Sequence, residues 1–176
     1  MINYREATLQ DAGNIARLHA LSWQQHYRGI LHDDFLDNQV RQNRQELWHS
    51  RLQNPTENQF VVVAEEDNTL YGFACVFAGA DPVWGALLDN LHVLSIQKGQ
   101  GIGMKLIKSA ASWVYSKHKN QGLYLWVYTK NTKARGFYER MGGINQEEVL
   151  TENPGGGQAL ICRYVWKDIT QLTSLP

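Results

Sequence analysis

The spacing of apolar and polar residues along the chain predicts a sheet protein with helices inserted between its strands. Strand-like runs occupy the ranges 2–6, 60–64, 71–77, 87–93, 123–127 and 160–166. Apolar residues recur at helical spacing over the ranges 8–23, 34–52, 101–118 and 132–141. Asp67 and Asn68 separate two strand-like runs as a hairpin turn would, and residues 153–157 separate the last two strands. The predicted order is β-α-α-β-β-β-α-β-α-β-β.

Length and composition are those of one folded domain. With 176 residues and 43% hydrophobic side chains, the chain is long enough to bury a core. We expect a single domain over residues 1–168, followed by a C-terminal tail over residues 169–176. Seventeen basic and seventeen acidic residues cancel, so we expect neither a nucleic-acid nor a membrane partner. No signal-peptide pattern opens the chain, and the expected location is therefore cytoplasmic.

Metal binding is not expected either. Cys75 and Cys162 lie in apolar, strand-like runs, and the chain has no Cys-x-x-Cys pair and no His spacing typical of zinc. We interpret both cysteines as small core residues with free thiols.

A glycine-rich loop between a strand and a helix is the first candidate site, and its sequence is Lys98-Gly99-Gln100-Gly101-Ile102-Gly103. Glycines at alternate positions leave N–H groups uncovered at a helix N-terminus, where the helix dipole favours an anion such as a pyrophosphate. A P-loop requires Lys and then Ser or Thr after its last glycine, but Met104 follows here. The dinucleotide fingerprint requires glycine at 104 and an acid about twenty residues later, and neither is present.

A second motif lies at the next helix, where Asn131, Ala134, Phe137, Tyr138 and Gly142 follow the spacing Asn-x-x-Ala-x-x-Phe-Tyr-x-x-x-Gly. The two motifs together resemble those of the GNAT N-acetyltransferase superfamily, whose first motif is [Gln/Arg]-x-x-Gly-x-[Gly/Ala]. Lys98 stands where that motif has Gln or Arg. The resemblance extends to the order of elements. It implies an α/β fold with a mixed, mostly antiparallel sheet, helices on both faces, and two central strands that splay apart.

The resemblance also implies acetyl-coenzyme A as co-substrate and an amine on a small molecule or protein as acceptor. Backbone N–H groups near Val93 and Leu94 would polarise the thioester carbonyl. Asn131 would anchor the cofactor arm, and the Tyr138 hydroxyl would protonate the departing thiolate. The residues implied in cofactor binding are Leu91, Val93, Leu94, Lys98, Gly99, Gln100, Gly101, Ile102, Gly103, Met104, Asn131, Ala134 and Phe137.

The acceptor wall falls, by the same resemblance, between the first two helices. Its candidate residues are Trp23, His26 and Tyr27. Their aromatic density suits a pocket for an apolar or cationic group, although ordinary helix-on-sheet packing accounts for it equally well.

The base that deprotonates the amine is the least defined residue. An amine with a pKa near ~10.4 arrives protonated at neutral pH, so a proton acceptor is required. Relatives often place a Glu four residues before the position of Leu91, where this chain has Leu87. Asp89 and His92 are the nearest titratable side chains, and strand alternation predicts that they point to opposite faces. The other candidates for the proton acceptor are a water relay and His26.

An alternative function is a non-catalytic module of the same fold that binds acyl-coenzyme A as a sensor, and the missing Glu favours it. The Tyr138 side chain argues for an enzyme instead. The sequence leaves the identity of the acceptor open, and it allows a homodimer.

Overall fold

The computed structural model describes residues 1–97, 99–119 and 121–174. One seven-stranded sheet runs through it in the order β1-β2-β3-β4-β5-β7-β6. Its strands are β1 (Asn3–Glu6), β2 (Gln59–Glu66), β3 (Thr69–Asp81), β4 (Gly85–Val93), β5 (Leu123–Tyr128), β6 (Ile144–Glu152) and β7 (Gln158–Trp166). Neighbouring strands are antiparallel except β4 and β5, which are parallel. The predicted mixed, mostly antiparallel sheet is confirmed.

Helices cover both faces of this sheet. They are α1 (Ala12–His26), α2 (Val40–Gln53), α3 (Ile102–Lys117), α4 (Thr132–Arg140) and α5 (Thr170–Thr173). Alternate residues of β3 divide the core: Phe73 and Cys75 pack with α1 and α2, whereas Ala74 and Val76 pack with α3. None of the described helices is long and apolar enough to cross a membrane.

The central strands β4 and β5 pair only where they begin. Their register contains Ala86 opposite Leu123 and Leu87 opposite Tyr124, and no further pair. Beyond these pairs β4 continues beside β3 to Val93, while β5 continues beside β7 to Tyr128. A gap therefore opens toward the carboxyl ends of both strands, and the predicted splay of the central strands is confirmed.

A β-bulge interrupts β4 inside this region. Asn90 lies opposite Cys75 and Leu88 lies opposite Val76, so Asp89 is an additional residue on its strand. An extra residue shifts the alternation of side chains by one position. Asp89 and His92 consequently both contact the α1–α2 side of the sheet. The prediction that they point to opposite faces is wrong, because it assumed an uninterrupted strand.

The segment that the sequence sets apart as a tail packs against the domain. Ile169 is 2% exposed and Leu172 is fully buried, and both join the core cluster that contains Leu106 and Ile107 of α3. These two apolar residues are spaced by one helical turn, and α5 forms where they meet α3.

Candidate functional site

A cavity of about 670 Å³ occupies the gap between β4 and β5. It runs without interruption from the glycine loop, past α4, to the end of α1. Most of the candidate site residues meet here, although they come from separate parts of the chain. Those that line it are His26, Tyr27, Asp89, Leu91, His92, Val93, Gly99, Gly101, Ile102, Gly103, Met104, Asn131, Ala134, Phe137 and Tyr138. Lys98 lies outside the described residues.

The glycine loop presents backbone to the cavity. Gly99 and Gly101 have φ values of 86° and 77°, in the left-handed region that favours glycine. A Cβ atom at either position would meet nothing within 4 Å, so a ligand can approach the backbone. The first bond of α3 runs from the Lys105 N–H to the Gly101 carbonyl, 3.0 Å away. The N–H groups of residues 102–104 thus lack partners within the helix, which suits an anion.

Gly103 differs from the other two glycines. A Cβ atom there would lie 3.5 Å from the Phe137 ring, which is an ordinary van der Waals contact. A methyl group at this position would therefore fit against Phe137, and Gly103 contributes chiefly its backbone N–H.

The backbone of β4 offers one of its two predicted N–H donors to the gap. The Leu94 N–H donates to the Tyr71 carbonyl at 2.8 Å, so it is not available to a thioester carbonyl, contrary to the prediction. In an antiparallel ladder the next residue along faces the other way. Val93, which lies opposite Gly72, therefore directs its N–H away from β3 and into the gap.

Tyr138 closes the inner side of the cavity. Its side chain is 9% exposed, and its ring lies 5.4 Å from the Phe137 ring and 6.2 Å from the Trp166 ring. Burial raises the pKa of Tyr138 above its ordinary value, so the hydroxyl keeps its proton at neutral pH. Asn131, at the start of the same helix, accepts the Ala134 N–H on its Oδ1 atom at 3.3 Å. Asn131 is thus the N-cap of α4.

His92 is held by a serine on α1. Its Nδ1 atom lies 2.8 Å from Ser22 Oγ, and both residues line the cavity. A donor–acceptor contact at Nδ1 restricts the orientation of the imidazole ring. The contact depends on α1 crossing β4, and no local pattern in the sequence revealed it.

A second histidine lies behind the first one. His19 is fully buried, and its ring lies 4.5 Å from the His92 ring. The indole N–H of Trp48, which can only donate, bonds His19 Nδ1 at 2.9 Å, so the His19 proton resides on Nε2. Burial lowers the pKa of His19 well below its ordinary value, and the charge of His92 lowers it further. His19 therefore stays neutral beside His92.

Sequence reasoning missed both His19 and Ser22. A signal exists in retrospect: His19, Ser22 and His26 are spaced by three and four residues, which places three polar side chains on one face of α1.

Asp89 is engaged by an arginine of α2. Arg51 Nη1 donates to Asp89 Oδ2 at 2.7 Å and to Asn90 Oδ1 at 3.1 Å. The bulge at Asp89 brings its carboxylate to this guanidinium. Because its carboxylate already accepts this hydrogen bond from Arg51, Asp89 is poorly suited to take a proton from a substrate.

Aromatic rings build the wall at the far end of the cavity. The Tyr27 ring lies 5.4 Å from Trp23 and 5.0 Å from Tyr128, and burial raises the pKa of Tyr27. Trp23 stands behind Tyr27 as support. The Tyr128 hydroxyl donates to Asn153 Oδ1 at 3.1 Å, and Asn153 Nδ2 donates to the Ile30 carbonyl at 3.2 Å. The turn at residues 153–157, which separates the last two strands, is thus tied to this wall.

Residues 15–143 match the family model for the acetyltransferase (GNAT) family. The chain belongs to the GNAT family. It is 26% identical over 179 residues to the uncharacterized N-acetyltransferase YuaI of Bacillus subtilis, with 99% of this chain and 98% of YuaI covered. It is 29% identical over 143 residues to the "Probable N-acetyltransferase Rv2775" of Mycobacterium tuberculosis, with 79% of this chain and 78% of Rv2775 covered.

Solved GNAT structures share the fold. The PaiA N-acetyltransferase of Thermoplasma acidophilum, in complex with coenzyme A, superposes with a TM-score of 0.71 at 20% identity. That superposition covers 94% of this chain and 99% of PaiA. Identity at this level supports the shared architecture alone, and residue roles have to come from the geometry of this chain.

Proposed function

We propose that this GNAT protein is an N-acetyltransferase that transfers the acetyl group of acetyl-coenzyme A to a primary amine by direct attack in a ternary complex. One observation supports this above all. A single cavity joins backbone N–H groups suited to a diphosphate with His92 and Tyr138, which suit proton transfer. Small molecules and proteins both present such amines.

The glycine loop fits the cofactor. Open space over Gly99 and Gly101 admits a diphosphate, and the N–H groups of residues 102–104 would bond it. Lys133 and Arg140 line the same end of the cavity and supply positive charge for phosphate groups. The pantetheine arm would lie in the gap between β4 and β5, where the Val93 N–H would be available to the thioester carbonyl. When bound, acetyl-coenzyme A supplies the activated acetyl group.

His92 is our candidate for the base. Its Nε2 atom would take a proton from the incoming ammonium group, while Ser22 keeps the ring in place through Nδ1. The amine nitrogen would then form a bond to the acetyl carbon, and the bond from that carbon to sulfur would break. Tyr138 would give its hydroxyl proton to the sulfur, and the second proton that the nitrogen loses as the amide forms would restore the tyrosine. Neutral His19 assists, because a charged neighbour would oppose the positive charge that His92 acquires.

Two measurements test the proposal. Acetyl-coenzyme A should raise the melting temperature, since a ligand of the folded state stabilises it by mass action. A panel of amines should then contain at least one that releases free thiol from acetyl-coenzyme A at a rate proportional to enzyme. A thermal shift without turnover of any amine would favour the sensor function, and the absence of any shift would refute both. A cytoplasmic location and a homodimer stay predictions.

A further inference from the structure

Asn90 of β4 presents amide N–H groups to the cavity. Its side chain is half-buried and lines the cavity, and its Oδ1 atom accepts a hydrogen bond from Arg51 Nη1 at 3.1 Å. A guanidinium can only donate, so the amide atom that faces Arg51 has to be the oxygen. Within residues 1–97, 99–119 and 121–174, the Nδ2 group has no hydrogen-bond partner. Two N–H donors of Asn90 are therefore available to a ligand.

Asn90 and His92 share one face of β4. Asn90 lies opposite Cys75 and His92 lies opposite Phe73, and both of these partners pack with α1 and α2. The register between the two residues is regular, because the bulge at Asp89 precedes them. Residues two positions apart on a strand are separated by roughly 7 Å. An extended spacer of about four carbon atoms would span that distance, so one acceptor can reach both side chains.

The groups around Asn90 favour a neutral partner. An ammonium group has no lone pair to accept an N–H, and the Trp126 ring, which also lines the cavity, already carries the Arg163 guanidinium at 4.3 Å. A carboxylate would lie beside the carboxylate of Asp89, whose charge the Arg51 guanidinium at 2.7 Å already compensates. A hydroxyl or carbonyl oxygen accepts the N–H groups without meeting a like charge.

We propose that the acceptor carries a neutral oxygen, as a hydroxyl or a carbonyl group, besides its amine, and that Asn90 Nδ2 donates to this oxygen while the amine lies at His92. Asn90 would then determine acceptor specificity and take no part in proton transfer. The inference rests on the proposed acetyltransferase function and names the acceptor class for it. Amino alcohols and amino amides belong to this class.

Three amines with matched spacers test this class in a thiol-release assay. 4-Aminobutanol carries a hydroxyl group, pentylamine replaces it with a methyl group, and putrescine replaces it with a second ammonium group. We expect kcat/KM for 4-aminobutanol to exceed that for either of the others about fivefold or more, as for one hydrogen bond to a donor that would otherwise stay unpaired.

Two further amines identify the kind of oxygen. γ-Aminobutyramide offers a carbonyl oxygen, and its kcat/KM relative to that of 4-aminobutanol shows which oxygen Asn90 binds better. γ-Aminobutyrate carries a carboxylate instead, and it should be a poorer acceptor than its amide because Asp89 lies next to Asn90.

Variants then assign the preference to one residue. Asn90→Leu keeps the shape without the donors and should abolish the preference for the oxygen over the methyl group, mainly through KM, with acetyl-coenzyme A affinity unchanged. Asn90→Asp replaces the donors with a carboxylate and should shift the preference toward putrescine about tenfold, as for a charged hydrogen bond. Asn145→Leu, exposed on the edge strand β6, is the matched control and should keep the original preference. Melting temperatures verify that each variant folds.

The outcomes separate the two proposals. If pentylamine, putrescine or γ-aminobutyrate reacts as well as the better of the two amines with a neutral oxygen, the inference is overturned and the acetyltransferase stays intact. So it is if folded Asn90→Leu slows all amines equally, since that would make Asn90 a structural residue. Turnover of other amines but of none of these also counts against the inference alone. If acetyl-coenzyme A neither binds nor reacts with any amine, the acetyltransferase proposal fails and the inference fails with it.

Discussion

At the cofactor end of the cavity the contacts come mainly from backbone, whereas at the acceptor end they come from side chains. The glycine loop and the first turn of α3 present N–H groups from residues adjacent in the chain. The acceptor end gathers Ser22 of α1 and His92 of β4, which are far apart in sequence.

The two constructions respond differently to substitution. A backbone site depends on φ values and on the absence of side chains, so it fails when glycine is replaced. A side-chain site depends on a network such as Ser22–His92 and His19–Trp48, and each contact can be removed singly. Substitutions at the cofactor end should therefore appear in cofactor affinity, and those at the acceptor end in turnover and in its pH dependence.

The largest effect is expected at His92. His92→Gln should lower kcat/KM at neutral pH by about 10²- to 10³-fold, because the substrate ammonium loses its proton acceptor. As the pH approaches the amine pKa of ~10.4, more substrate arrives neutral and the deficit should shrink. A pH–rate profile measures both. His49→Gln, on the exposed side of α2, is the control. A deficit that is the same at every pH would give His92 a packing role instead.

The second largest effect is expected at Tyr138, between the cofactor end and the acceptor end of the cavity. Tyr138→Phe should lower kcat about a hundredfold and leave acetyl-coenzyme A affinity unchanged, because the ring still packs while the hydroxyl proton is lost. Since burial raises the pKa of Tyr138, the enzyme should show no alkaline loss from this group up to about pH 10, the ordinary tyrosine pKa.

Tyr115→Phe, with its ring 37% exposed on α3, is the matched control for Tyr138→Phe. An equally active Tyr138→Phe variant would assign the thiolate proton to water. A loss confined to cofactor affinity would make the hydroxyl a binding contact, and it would strengthen the sensor alternative.

Substitutions in the glycine loop should lower cofactor affinity, whereas Tyr138→Phe should lower turnover. Gly101→Val should weaken acetyl-coenzyme A binding about tenfold or more, because φ is 77° there and a β-branched residue resists that conformation. Gly103→Ala should cost less, since its Cβ meets Phe137 at an ordinary 3.5 Å. Isothermal titration gives both affinities. Gly13→Ala, in α1 with nothing within 4 Å of its Cβ, should bind like the unchanged protein. Equal affinity in all three would reduce the loop to a turn.

Features that depend on local spacing could be predicted from the sequence, and features that depend on contacts between distant segments could not. The strands, the order of elements and the glycine loop could be predicted, because each depends on local spacing. The bulge at Asp89 could not, since it exists only where β4 meets β3. The Leu94 N–H was misassigned because its partner, the Tyr71 carbonyl, is fixed by strand register. Ser22 also acquires its role from a contact with His92 across the fold, which spacing alone does not reveal.

The smallest effect is expected at Ser22, and it separates positioning from packing. Ser22→Ala removes the contact to His92 Nδ1, whose net value of about 1 kcal/mol corresponds to roughly fivefold in kcat/KM. The loss should come with a shifted acid limb of the pH profile, because the hydroxyl no longer biases the protonation of His92. Ser22→Thr, which keeps the hydroxyl, should restore the limb, and Ser50→Ala on exposed α2 should not move it. An unshifted acid limb in Ser22→Ala would mean that His92 is oriented by the rings around it, and the acceptor end would then rest on packing rather than on its polar contacts.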